Sequence, residues 1–228
     1  RNGGSCRLRA GEADMTTFMR LIEDKDKDKT LISSCLAFRA DVEDTRVYHV
    51  QPNSFRAVPG APFAYWVSDD VRDLFKKLPR FGGTERKAKV GLQTGDDFRF
   101  VRGWWEIGSH IEDWPPFAKG GAYSPFYADV YLVVNWANSG KEISKFANVK
   151  TGKLYSVLRN TDYYRRPGLT WGDRTSSFLS VKPWPAGGVF SVKGSAGFVP
   201  DGDIYFILGL MNSRPFNAFL EMMVNAGG

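Results

Sequence analysis

The sequence predicts an α+β fold: a helical N-terminal part, a mixed twisted β-sheet region and C-terminal helices. Three observations carry this. Apolar residues recur at helical spacing ahead of residue 80 and again beyond residue 202. Between these stretches that periodicity fades, and short apolar or β-branched runs separated by Gly and Pro take over. The chain has 228 residues, 43% of them hydrophobic, which is enough for a sizeable core.

Residues 15–40 read as helical. Phe18, Leu21 and Ile22 recur at helical spacing, and Leu31, Leu36 and Phe38 follow less cleanly. The alternating run Glu23-Asp24-Lys25-Asp26-Lys27-Asp28-Lys29 between them is expected to be a solvated helix face or a connection between helices. Residues 46–50 alternate as a strand, with His49 at its surface or edge. A stretch rich in Pro and aromatic residues covers 55–66. Ser68 is placed to cap a helix whose first turn holds Asp69 and Asp70, where the helix dipole favours acidic groups. Val71, Leu74, Phe75 and Leu78 would face inward, and Pro79 would stop the helix.

Phe81-Gly82-Gly83-Thr84 reads as a boundary, giving a helical connector over 1–80 and a second domain over 81–228. Strand candidates in the latter are 98–101, 130–135, 155–158, 168–171, 178–181 and 188–192. Residues 203–224 read as two helices broken near Asn212-Ser213-Arg214-Pro215, with Pro215 in the first turn of the second.

Several function classes lack support. No apolar run reaches the roughly 20 residues of a membrane helix. The first residues, Arg1-Asn2-Gly3-Gly4-Ser5, contain no secretory signal and no starting Met, which fits an excerpt of something longer or a processed product; the trailing residues 224–228 after an apolar helix-like run favour the excerpt. Cys6 and Cys35 are too few for a disulfide framework, and with His49 and His110 they have no zinc-site spacing. The expectation is free thiols in a reducing cytoplasm. Nucleophile-elbow, phosphate-loop, zinc-protease and dinucleotide motifs are missing. The carboxylate pair Asp96-Asp97 lies on a Gly turn, and Glu142 with Lys145 lacks a paired acid, so neither reads as a metal centre.

Charge is more informative. The net charge is +6, and the basic excess is concentrated. Residues 141–193 hold ten basic residues against three acidic ones, an excess of seven, while the rest of the chain is near −1. Within that segment, residues 159–177 set guanidinium, amide, hydroxyl and aromatic groups side by side, interrupted by Pro167, Gly168 and Gly172. Arg and Asn can grip base edges in bidentate pairs, and Ser, Thr and Lys hold phosphates. The pattern points to a DNA-contacting surface.

Four phrases carry a resemblance. They are Lys89-Val90-Gly91-Leu92-Gln93-Thr94-Gly95-Asp96-Asp97-Phe98-Arg99-Phe100, Phe117-Ala118-Lys119-Gly120-Gly121-Ala122-Tyr123-Ser124-Pro125-Phe126-Tyr127, Leu132-Val133-Val134-Asn135-Trp136, and Arg159-Asn160 through Tyr163-Tyr164 to Arg166-Pro167-Gly168-Leu169-Thr170-Trp171. Together they resemble the large adenine-specific DNA methyltransferases of BREX phage defence (the PglX type) and related fused restriction–methylation enzymes. The ending Gly209-Leu210-Met211-Asn212-Ser213 with Phe216 is similar to the close of their target-recognition domains. Those enzymes hold S-adenosylmethionine and a flipped adenine beside an Asn-Pro-Pro-Tyr/Phe motif, and no Asn-Pro-Pro occurs here. The resemblance therefore implies that 1–80 follows a missing methyltransferase domain and that 81–228 reads target sequence. It implies no catalytic residue in this chain and S-adenosylmethionine in the missing domain. The implied partners are double-stranded DNA, that methyltransferase domain and other defence-system proteins. The candidate DNA contacts are Arg99, Arg102, Lys119, Arg159, Asn160, Tyr163, Arg165, Arg166, Thr170, Arg174, Thr175 and Ser176, although Arg99 and Arg102 could equally pair with Asp96 or Asp97. The alternative is a protein-interaction module of a bacterial defence complex, docking through the aromatic stretch from Trp104-Trp105 to Trp114-Pro115-Pro116-Phe117.

Overall fold

A computed structural model describes residues 15–109, 111–174 and 178–224. It divides the chain into two compact units, one formed by the residues up to Pro79 with the tail from Phe219, the other by Arg80–Ala218.

In the first unit, β1 (Thr16–Met19) pairs antiparallel with β2 (Val47–Val50), Thr16 opposite Val50. The helix expected across 15–40 is thus corrected at its start. Two β-branched residues suit a pleated strand, and the Phe18 ring stacks on Tyr65 at 4.7 Å, a tertiary contact that local periodicity does not encode. Helix α1 (Lys27–Arg39) begins within the charged run, where the Asp26 carboxylate accepts from the Lys29 amide at 3.2 Å. Leu31, Leu36 and Phe38 are exposed on α1. His49 is exposed, its Nδ1 lying 3.1 Å from the Thr17 hydroxyl.

Helix α2 (Asp69–Lys77) keeps Asp69 and Asp70 in its first turn, but the Ser68 side chain makes no capping bond. Val71, Leu74 and Phe75 are half-buried and Leu78 is exposed. The side chain that α2 buries is Arg72. Its guanidinium donates to the Ala64 carbonyl at 2.8 Å and to the Val67 carbonyl, and it pairs with Asp69 at 2.6 Å. Its stem fills the apolar position while its terminal amino groups find oxygens.

The second unit runs β3 (Lys87–Lys89), α3 (Asp97–Phe100), β4 (Val101–Gly103), β5 (Phe117–Ala118), β6 (Leu132–Val134), α4 (Ala137–Ser144), β7 (Gly168–Gly172), β8 (Val181–Trp184), β9 (Val189–Phe190), β10 (Gly194–Phe198) and α5 (Ile204–Met211). Helix α6 (Arg214–Val224) follows α5 across the Asn212-Ser213 break, with Pro215 in its first turn as expected. Residues 98–101 are not one strand: the Asp96 carboxylate caps a single turn by accepting from the Arg99 amide at 3.1 Å, and β4 begins only at Val101. Residues 155–158 contribute one bridge, Gln93 to Val157.

An antiparallel sheet in the order β3-β10-β7-β8 organises this unit, joined by the antiparallel pair β4-β6 and the parallel pair β5-β9. Opposite residues on adjacent strands share a face, so the register decides what each face does. Lys89, Ala196, Thr170 and Lys182 form one row across all four strands. Ala196 on that face is buried in a core with Leu92, Phe100, Phe117, Val134, Ile143 and Phe190. The other face carries Leu169 and Val181 against Ile207, Leu208 and Met211 of α5. The architecture is α+β, with core on both sides of one sheet. No helix among the described residues is long and apolar enough to cross a membrane.

Candidate nucleic-acid interface

Nine of the ten basic residues between positions 141 and 193 are exposed, and Lys182 is buried. The segment is therefore a charged surface with one exception.

The structure places the candidate contacts in three locations. Arg159, Asn160, Tyr163, Arg165 and Arg166 lead into the start of β7. Arg159, Arg165 and Arg166 are exposed, and no ion pair among the described residues holds them. Arg165 has a positive φ of 66°, fixed by its amide donating to the Gly188 carbonyl at 2.8 Å and its carbonyl accepting from the Gly187 amide at 2.9 Å. The Tyr163 ring packs on Phe198 at 5.0 Å, with the Arg166 guanidinium 5.0 Å and the Lys89 ammonium 4.8 Å from its centroid. It is thus a half-buried post that carries cations at the β3 edge. The Asn160 amide donates to the Val90 carbonyl at 2.9 Å, which ties this loop to the end of β3 and occupies the group that would read adenine.

The second location is the far end of β7. Thr170 and Lys119 line one cleft there, and exposed Arg174 follows Gly172. Two backbone segments converge beside the cleft: a Cβ on Gly194 would lie 2.6 Å from the Ala118 carbonyl carbon and 2.7 Å from the Gly120 nitrogen, so only glycine fits. Thr175 and Ser176 lie outside the described residues.

Arg99 and Arg102 form the third. Arg99 pairs with Glu142, Nη2 to Oε1 at 2.7 Å, rather than with Asp96 or Asp97. The Arg102 guanidinium turns back onto the carbonyls of Phe98 and Val101, the latter at 2.7 Å. Both are engaged within the fold, unlike the arginines before β7.

Three acidic groups near the site, Asp96, Asp97 and Glu142, are employed structurally. The Thr94 hydroxyl donates to Asp97 Oδ1 at 2.5 Å, and Lys119 pairs with Asp97 Oδ2. Burial works against ionisation of Asp97, but the bonds from Lys119 and Thr94 and the charges of Lys119 and Lys193 outweigh it, holding the carboxyl below its ordinary range. Asp97, Lys119 and Lys193 face a cavity of about 280 Å³, walled also by Gln93 and Thr94. Asp96 caps α3, and Glu142 holds Arg99. Three basic residues outside the candidate contacts also come to this region, Lys89 and, from the basic segment, Lys182 and Lys193. For Lys182, its alternation between Val181 and Pro183 in an apolar strand was the available signal.

No protein-family model matches the chain. It is similar to the adenine-specific methyltransferase PglX of Lacticaseibacillus casei (strain Zhang), 29% identical over 221 residues that make up 91% of this chain. It is also similar to the adenine-specific methyltransferase BrxX of Escherichia coli O9:H4 (strain HS), 31% identical over 214 residues, 88% of the chain. The chain spans 18% and 16% of the lengths of these two relatives.

Proposed function

We propose that this chain is the DNA-reading segment of an adenine-N6 DNA methyltransferase of the phage-defence or restriction kind, and that methyl transfer takes place in a domain outside it. Residues 81–228 supply target recognition and 1–80 connect to the methyltransferase domain. The partners are double-stranded DNA, that domain and further defence-system proteins. The observation that carries the reading is the exposed group Arg159, Arg165 and Arg166 at one end of β7 with Arg174 at the other, none in an ion pair among the described residues. A five-residue strand spans about 13 Å, so both ends lie within one turn of a duplex. Similarity to two adenine-specific methyltransferases over nine-tenths of the chain supports the enzyme class.

S-adenosylmethionine does not fit the residues present. No Asn-Pro-Pro-Tyr/Phe motif occurs in the chain, and among the described residues the only parallel strand pair is β5-β9, two residues each. The cofactor and the flipped adenine belong to the methyltransferase domain.

The test is anisotropy of a labelled duplex titrated with the chain at several salt concentrations. Affinity should fall linearly on logarithmic axes, because each neutralised phosphate releases counterion. Absent binding, or binding indifferent to salt, overturns the reading.

A second reading, a protein-interaction module of a defence complex, is favoured by one observation. Trp104 and Trp105 are 58% and 63% exposed and pack edge to face at 5.7 Å. Exposed tryptophans of this kind are enriched at interface cores. Recovery of a protein partner that Trp104→Ser with Trp105→Ser abolishes, together with no salt-sensitive DNA binding, would select this alternative.

A further inference from the structure

Lys182 is the one member of the basic segment that the fold removes from solvent, at 8% exposure. It stands on edge strand β8 directly opposite Thr170. At this end of the sheet the face bearing both residues opens into a cleft, lined by Lys119, Gly120, Asp129, Tyr131, Thr170 and Lys182. Of the other charged groups of the cleft, Lys119 is paired with Asp97, and Asp129 keeps its charge while accepting from the Tyr127 hydroxyl at 2.6 Å. The Thr170 hydroxyl donates to the Ser195 carbonyl at 2.9 Å, which fixes the wall beside Lys182. Among the described residues no hydrogen bond or ion pair holds the Lys182 ammonium. Burial alone pushes its pKa down, as it does for an ammonium with no counter-charge.

We propose that this cleft binds a phosphate group, with the Lys182 ammonium supplying the charge that meets it. The phosphate group completes the partner set that the fold leaves open at Lys182. On the function proposed above, which this step rests on only for the identity of the ligand, the phosphate is a backbone phosphodiester of the target duplex. Arg174, two residues beyond Gly172, is exposed. A free phosphate or nucleotide presents the same chemistry, and the experiment separates the two sources.

The cleft contains its own reporters, Trp171 and Trp184. Tryptophan fluorescence of the whole chain is followed against inorganic phosphate at constant ionic strength, and duplex affinity is measured against salt, for the natural chain and for Lys182→Met. Thermal unfolding checks that the variant is folded, and Lys182→Gln replaces it if it is not. The natural chain should give a saturable phosphate response and be stabilised by phosphate, and Lys182→Met should lose both. The duplex salt slope of the variant should drop by about 0.9, the contribution of one phosphate. If the phosphate response depends on Lys182 but duplex affinity does not, the site stands and its ligand is a free phosphate or nucleotide. If the chain binds no duplex, the functional reading fails while the phosphate arm still decides the site. The inference is overturned if the natural chain gives no saturable phosphate response, or if the folded variant keeps it.

Discussion

Removing the three exposed arginines that lead into β7 should weaken duplex binding about 500-fold at about 0.1 M salt, if each holds one phosphate. The figure follows from counterion release: each phosphate held contributes about 0.9 to the logarithmic salt slope, or about eightfold at that salt, and the three factors multiply. The substitutions must respect the backbone. Arg159 and Arg166 become Ala, but Arg165 has φ of 66° and becomes Gly, which adopts that conformation without the strain a Cβ would bring. Stability should change little. All three residues are exposed, and the substitutions take away the packing of the Arg166 guanidinium over the Tyr163 ring, 5.0 Å from its centroid, worth about 0.5–1 kcal/mol at a surface site. Anisotropy titrations of a labelled duplex at four or more salt concentrations give the slope, which should fall by about 2.7. A smaller drop reveals how many of the three touch phosphate. A folded variant whose slope and affinity match those of the natural chain refutes the assignment of this surface to DNA.

Other consequences concern the framework that holds the surface in place. Leu169→Ala removes a fully buried side chain packed against Ile207, Leu208 and Met211 and should cost about 2–5 kcal/mol, read from the denaturant midpoint. Gly194→Ala should lower the thermal midpoint as well, because its Cβ would meet backbone atoms at 2.6 and 2.7 Å that cannot give way like a side chain. Asp97 has a folded pKa below its unfolded one, so its contribution to stability is complete above about pH 4 and is lost as pH falls through the folded value. Asp97→Asn should flatten that part of the acid limb in unfolding measured between about pH 5 and about pH 2, and an unchanged limb would place the acid sensitivity elsewhere.

Elements specified by neighbouring residues were legible in the sequence. Asp69 and Asp70 before a short amphipathic run marked α2, and Asn212-Ser213-Arg214-Pro215 marked the break between α5 and α6. The alternation of Val47–Val50 marked β2, and Gly168 ahead of an apolar run marked β7. What was hidden depends on residues far apart in the chain. β1 is a strand because β2 lies beside it, some thirty residues on, whereas its own spacing of apolar residues mimics a helix. Arg99 finds Glu142 across 43 positions, and Asn160 finds the Val90 carbonyl across 70. An arginine in a basic motif reads the same whether it faces solvent or a carboxylate, and only the folded chain distinguishes Arg165 from Arg99. The burial of Lys182 was hidden for a related reason. Residues 128–131 line the same cleft from some fifty positions away, which no local pattern states.

The sheet register constrains how such a surface can read DNA. One face of β3-β10-β7-β8 is packed on the first core and the other on α5, so most side chains that point from the strands are committed to folding. What remains for contact is the segments before and after β7 and the row positions at the sheet edges, Lys89 on β3 and Lys182 on β8. Groups on connecting segments can change without disturbing a core, whereas a change in Leu169 or Val181 disturbs it directly. On the proposed reading, then, the requirements separate along the chain. Charge before and after β7 holds the backbone and sets affinity. Discrimination between bases needs side chains that the fold leaves unoccupied, and the Asn160 amide, held by the Val90 carbonyl, and the Tyr163 ring, packed on Phe198, are committed to the framework.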